Sequence, residues 1–159
     1  GIWTRGSTTT ASPGYCGSGR TSTRDVARKT AIPLEKILED LIEEQIRRGQ
    51  VVFDRKLRMY ESPDGDYGRQ FPIPEIGRID TLAADTHDLV VVELKRDQGE
   101  RDAVGQACLY KQWVSQNLAN EGQQVIGVLC VHGATQSLRL AAKGAGLEIH
   151  DYSLTFERL

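Results

Sequence analysis

The sequence predicts a mixed α/β fold, a sheet flanked by helices. Three observations carry that expectation. Stretches with apolar residues at helical spacing are separated by apolar runs of strand length. One of those runs, Leu89 to Lys95, is apolar on both faces until its last residues, as a central strand should be. The second half then reads strand, helix, strand, helix, strand, the order of parallel strands joined by crossover helices.

Taken in order, Pro33 opens a helix in which Leu34, Ile37, Leu38, Leu41, Ile42 and Ile46 form one face and Gly49 ends it. The opposite face is acidic. Glu35 and Glu39 lie one turn apart at the border of the apolar stripe, whereas Asp40 and Glu44 point plainly outward. Gln50 to Tyr60 reads as a strand. Glu61 to Glu75, with Pro63, Asp64, Gly65, Gly68, Pro72 and Pro74, reads as a turn-rich connection. Ile76 to Ala84 is a second strand and Leu89 to Lys95 a third. Arg101 to Ala119 is helical, with Val104, Ala107, Cys108, Val114 and Leu118 as its core stripe. Val125 to Val131 is a buried strand, Gln136 to Lys143 a short helix stopped by Gly144 and Gly146, and Leu147 to Tyr152 a closing strand. The expected order is α-β-β-β-α-β-α-β.

The 159 residues suit a single domain over 25–159 with its own core, preceded by a flexible leader over 1–24. That leader is rich in Gly, Ser and Thr and has almost no apolar side chains to offset the entropy of ordering it. No apolar run is long enough to span a bilayer, and no signal-peptide pattern opens the chain. Three cysteines, an odd number, make no disulfide framework, so a cytoplasmic protein with reduced thiols is expected. Cys108 and Cys130 fall on apolar faces as packing residues. His87, His132 and His150 are too dispersed for a zinc motif. The net charge of −2 means that any nucleic-acid contact must be local. Arg5, Arg20, Arg24, Arg28 and Lys29, opposed only by Asp25, would make a basic arm. Arg55, Lys56, Arg58 and Arg69 interleave with Phe53, Tyr60, Tyr67 and Phe71; this is either a surface for phosphates and bases or an edge strand protected by its charges.

Side chains alternate along Leu89 to Lys95, so Glu93 and Lys95 share a face. If Asp85 and Asp88 flank the reversal between the two strands, paired residue numbers sum to 173 and Asp80 stands opposite Glu93. Directly opposed side chains have Cβ atoms only about 4.5 to 5.5 Å apart, and like charges at that spacing repel. Something positive must sit between them. Lys95 is one answer. A hard cation such as Mg²⁺, which binds through one or two carboxylates and keeps several waters, is another. Paired acids with an ammonium beside them suit phosphodiester hydrolysis, in which negative charge accumulates on the phosphoryl oxygens.

At these residues the sequence resembles the PD-(D/E)xK nuclease superfamily, and most closely the catalytic domain of the NucS/EndoMS endonucleases. Gly77-Arg78-Ile79-Asp80 is similar to that family's G-R-I-D strand, and Val91-Val92-Glu93-Leu94-Lys95-Arg96 to its V-x-E-L-K-R strand. Asp102-Ala103-Val104-Gly105-Gln106, followed by Tyr110, resembles its D-A-V-G-Q helix start. Glu35-x-x-Leu38-Glu39 resembles its glutamate-bearing first helix. The similarity covers roughly residues 33 to 152. It implies a restriction-endonuclease-like three-layer core and a metal-dependent endonuclease that hydrolyses DNA in repair, restriction or defence. Asp80, Glu93 and the Leu94 carbonyl would bind Mg²⁺, with Mn²⁺ as a substitute. Lys95 would act on water and phosphate, Gln106 and Tyr110 would frame the site, and Glu39 would reach it. DNA is the implied partner, no membrane is involved, and a homodimer would supply two sites for two strands. Relative to that family the sequence has no room for an N-terminal DNA-binding and dimerisation domain, and the Glu61 to Glu75 connection is longer. A non-catalytic binding module on the nuclease fold and a nuclease toxin domain are the alternatives.

Overall fold

The computed structural model describes residues 34–96, 102–153 and 155–159. The leader, its basic arm, Cys16 and the helix-opening Pro33 lie outside the described residues.

Helix α1, Leu34–Arg47, buries Leu38, Glu39, Ile42 and Ile46 on one face. Leu41, expected in that stripe, is exposed instead. The segment expected as one strand from Gln50 to Tyr60 is a hairpin followed by an edge strand. Strands β1 (Val51–Val52) and β2 (Arg55–Lys56) pair as Val51↔Lys56 and Val52↔Arg55. Phe53 and Asp54 form the reversal, with φ of 51° and 60°. Such a two-residue turn with positive φ normally selects Asn or Gly, which is why the sequence did not announce it. Phe53 is held there by tertiary contacts. Its ring meets His150 edge-on at 5.0 Å, and its carbonyl accepts a 2.9 Å bond from Arg55, whose guanidinium also clamps Glu148.

Strand β3, Arg58–Met59, starts the main sheet at the edge of β5, Gly77–Ala84. The stretch expected to be all turn contains another strand, β4, Arg69–Ile73, on the same edge of β5. Pro72 is tolerated there because β4 has β5 on one side only. Met59 faces Ala83 while Arg69, ten residues on, faces Thr81, only two residues further along β5, so eight residues are looped out of one edge strand. The two ends of the loop meet at Leu82, whose carbonyl accepts from Tyr60 N and whose N–H donates to the Gly68 carbonyl.

The reversal from β5 to β6, Leu89–Lys95, is built as the sequence predicts. Asp85 N bonds to Asp88 O, and the Asp85 carboxylate accepts from His87 N and Asp88 N at 2.7 Å each. The register follows: Ala84↔Leu89, Ala83↔Val90, Leu82↔Val91 and Thr81↔Val92 all sum to 173. Helix α2, Asp102–Asn117, leads to β7, Val125–Val131, parallel to β6. Helix α3, Gln136–Gly144, capped by the Thr135 hydroxyl, leads to β8, Glu148–Asp151, parallel to β7. The sheet order is β3-β5-β6-β7-β8 with β4 continuing the β3 edge.

The result is the expected three-layer core. Val90, Val92 and Leu94 pack with α1, while Leu89 and Val91 pack with Tyr110 and Val114 of α2. Leu138 and Ala142 of α3 pack beside α2, against Leu129, Val131 and Leu147. Central β6 is therefore buried on both faces, each such Val or Leu contributing roughly 1.5 to 3 kcal/mol. On α2 the buried positions are Ala103, Ala107, Tyr110 and Val114, and Cys108 is only half-buried. Among the described residues no helix is long and apolar enough to cross a membrane.

The looped-out edge gives a sharp test. A Cβ at Gly68 would fall 2.0 Å from the Leu82 carbonyl oxygen, a backbone atom that cannot step aside. Gly68→Ala should cost about 1 to 3 kcal/mol, or roughly 3 to 10 °C in Tm. Thermal unfolding indistinguishable from wild type would show that the loop does not close on Leu82 in this way.

Candidate functional site

The antiparallel ladder between β5 and β6 stops at Thr81↔Val92, yet β6 runs on beside β7 as far as Lys95. The two strands have separated by Asp80, the next residue outward from Thr81. Apolar alternation breaks at the same place: Ile79 packs in the cluster of Leu82 and Ala84, whereas a regular strand would put it with Ala83. A side chain takes over from the ladder. Leu94 N donates to Asp80 Oδ2 at 2.8 Å, so the carboxylate bridges the gap left by the missing backbone pair.

Glu93 lies beside it on β6, only 2% exposed, and Lys95 Nζ stands 3.1 Å from its Oε1. The other oxygen, Oε2, is buried and accepts no hydrogen bond. Burial first, then the charge of Asp80, pushes the Glu93 carboxyl up to about 8 against the pull of Lys95. Burial also raises Asp80, with the Leu94 N–H, Lys95 and Gln70 working the other way. Both carboxyls are thus held above the ordinary range chiefly by desolvation, Glu93 the more strongly because Asp80 stands beside it.

A third carboxylate arrives from α1. Glu39 is 7% exposed; burial and then Asp80 raise its pKa, while Gln70 and Arg69 lower it. Gln70 Nε2 donates to both Glu39 Oε1 and Asp80 Oδ1, the latter at 3.3 Å. Arg69 Nε donates to Glu39 Oε2 at 3.2 Å, and its Nη1 pairs with Asp40 and Glu43. The structure thus joins Glu39, Asp80, Glu93 and Lys95 through Gln70 and the Leu94 amide. Glu35 stays exposed, at the rim of a groove of about 370 Å³ that Lys36, Glu39, Arg69 and Gln70 also line. Gln106 and Tyr110 form their own pair, Nε2 to hydroxyl at 2.8 Å. A Cβ on Gly77 would meet that hydroxyl at 3.0 Å, so the pair sits against the strand that leads to Asp80.

Two expectations change. Arg55 and Arg69 are not members of a free basic surface, because Glu148 engages the first and Glu39, Asp40 and Glu43 the second. Gln70 was missed altogether: it lies between Gly68 and Pro72 in a stretch that reads as turn, and nothing in its residue type marks it.

Among the described residues no group of three or more His, Cys, Asp or Glu side chains forms a ready metal cage. The donor set is two adjoining carboxylates, one with an orphaned oxygen. That fits a Mg²⁺-type ion, which keeps most of its ligands as water, and not a structural zinc site.

Solved structures share this architecture. A repair endonuclease from Pyrococcus abyssi superposes with a TM-score of 0.59 at 24% identity over 77% of this chain. An EndoMS–dsDNA complex matches with a TM-score of 0.57 at 20% identity over 80% of this chain, and EndoMS in its apo form with 0.51 at 21% over 80%. The fold is that of the NucS/EndoMS-type repair endonucleases. The chain spans about half the length of these structures, 48% of the first two and 49% of the third. No protein-family model and no curated protein sequence matches it.

The raised Glu93 carboxyl has a consequence for stability. Glu93 titrates near 8 when folded against an ordinary 4.5, so the folded chain binds the extra proton between those values. Stability is then fully present below about 4.5 and falls as pH rises to about 8, by up to about 1.4 kcal/mol per unit. In EDTA, denaturant unfolding should show this decline for wild type, whereas Glu93→Gln should lack it and be the more stable protein at pH 8. Equal slopes in the two proteins would show that the Glu93 carboxyl is not raised in the folded chain.

Proposed function

We propose that this chain is a metal-dependent nuclease that hydrolyses phosphodiester bonds of DNA at the Asp80, Glu93 and Lys95 centre, acting as an endonuclease. The observation that carries this reading is the buried Glu93 Oε2, which accepts no hydrogen bond and stands beside the carboxyl of Asp80. Two acids in that position need either a proton or a cation between them. The shared fold with repair endonucleases, one of them solved with double-stranded DNA, supports a nucleic-acid substrate and a place in repair.

Asp80, Glu93 and the Leu94 carbonyl would hold Mg²⁺, or Mn²⁺ in its place. When bound, such an ion polarises the phosphoryl oxygen, acidifies the attacking water and neutralises charge that develops in the transition state. The chain supplies the rest. Asp80 is fixed by Leu94 N, so its free lone pairs keep a constant direction. Glu93 in its ionised form would serve as a ligand, and the Lys95 ammonium beside it would bind the scissile phosphate as a point charge or orient the water. Gln106 and Tyr110, locked to each other, frame the α2 side of the centre. Glu39, held through Gln70, adds negative charge on the α1 side and favours a cation at Asp80.

Purified protein should cut DNA with Mg²⁺ or Mn²⁺ and not with EDTA. Single-stranded, mismatched, branched and plain duplex substrates, compared side by side, would identify the structure it prefers. Asp80→Ala and Lys95→Ala should each lower the rate by about a hundredfold or more. Circular dichroism would confirm that both variants fold. Cleavage that persists in either folded variant removes the catalytic assignment.

A further inference from the structure

Arg69 and Gln70 are neighbours on β4, and in a regular strand neighbouring side chains point to opposite faces of the sheet. Here both reach the same carboxylate: Arg69 binds Glu39 Oε2 and Gln70 binds Glu39 Oε1. The backbone makes this possible. Gln70 has a φ of 50°, left-handed and unfavourable for a side-chain-bearing residue, and it falls where the β4–β5 ladder skips a pair between Arg69↔Thr81 and Phe71↔Ile79. The skipped position is the one opposite Asp80. A glycine would adopt this φ without strain. The strained residue found there instead carries an amide whose NH₂ donates to Glu39 and to Asp80 together.

We propose that Gln70 is a positioning residue for the divalent cation. Its neutral amide holds the Glu39 and Asp80 carboxylates at a set separation without neutralising either, and the backbone strain is retained for that purpose. The chemistry of the position is restrictive. A lysine or arginine would compete with the cation, a glutamate would add a further negative charge beside two buried acids, and an apolar residue would leave Asp80 Oδ1 without the Gln70 donor. Partners behind metal ligands typically govern affinity by about 10- to 100-fold. This inference rests on the metal-dependent nuclease reading, but its test does not depend on cleavage.

Mn²⁺ binding should be measured by titration calorimetry on folded wild type, Gln70→Gly, Gln70→Leu and Asp80→Ala, together with Tm in EDTA. Gln70→Gly releases the strain and removes the amide. It should bind Mn²⁺ about tenfold or more weakly while its Tm stays equal to wild type or rises. Gln70→Leu should show the same weakening, and Asp80→Ala should abolish binding. A purely structural glutamine predicts the opposite pattern, a lower Tm with unchanged affinity, and that result overturns the proposal. So does a wild-type protein that binds no Mn²⁺, which removes the metal-dependent reading as well. Wild type that binds Mn²⁺ but cuts no DNA sinks only the nuclease reading. Gln70→Gly that binds Mn²⁺ and cuts DNA like wild type sinks only the role of Gln70.

Discussion

Two carboxylates on adjacent strands, inside a sheet and largely out of water, are the constraint on which this molecule turns. Asp80 and Glu93 are carried there by the 173 register of the β5–β6 hairpin, and the strands can host them only by separating beyond the Thr81↔Val92 pair. The local structure around them answers the same electrostatic problem. The Leu94 amide bonds Asp80, Lys95 pairs with Glu93, and burial beside Asp80 raises the Glu93 carboxyl. Desolvation makes each charge expensive and strengthens the attraction of the pair for positive charge.

The register is secure because the turn and the packed faces of the hairpin resist slippage. The Asp85 carboxylate closes the turn with two backbone bonds, and Asp88 Oδ1 accepts from Gln124 N to tie the turn to the approach to β7. A one-residue slip would turn Val90 and Val92 away from α1 and exchange the two apolar faces of β6, at the cost of the core on both sides. Packing energy thus holds a polar arrangement that would not assemble on its own. This is a common division of labour in which apolar burial supplies the stability and the site uses some of it.

The acidic helix α1 and the looped edge strand form a second layer of control. Tyr67, on the loop, donates to Glu43 and accepts from Arg47, and Arg69 gathers Glu39, Asp40 and Glu43. The eight-residue excursion that looks like an insertion in the sequence therefore pins α1 against the sheet and aims Glu39. Its closing residues, Tyr60 and Gly68, meet at Leu82, two residues from Asp80. Local stability of the edge and geometry of the site are linked through that short span.

The amino-acid sequence by itself determined the elements whose signals are local. Apolar periodicity marked α1, β6 and β7. The Asp85 and Asp88 turn fixed the register of β5 against β6 as far as Thr81↔Val92, and the residues around Asp80, Glu93, Lys95, Gln106 and Tyr110 carried the likeness to a nuclease family. The tertiary structure alone decided what depends on contacts between distant segments. The Phe53–Asp54 turn places a phenylalanine at positive φ, held by His150 and Arg55, and β4 exists because β5 offers it an edge despite Pro72. Arg69 and Gln70 became members of the site because a left-handed backbone at one residue brings both to Glu39. A hydrophobic pattern reports which face of an element is buried. It carries no record of a strained dihedral or of a bridging amide, whose energies are set by partners on other elements.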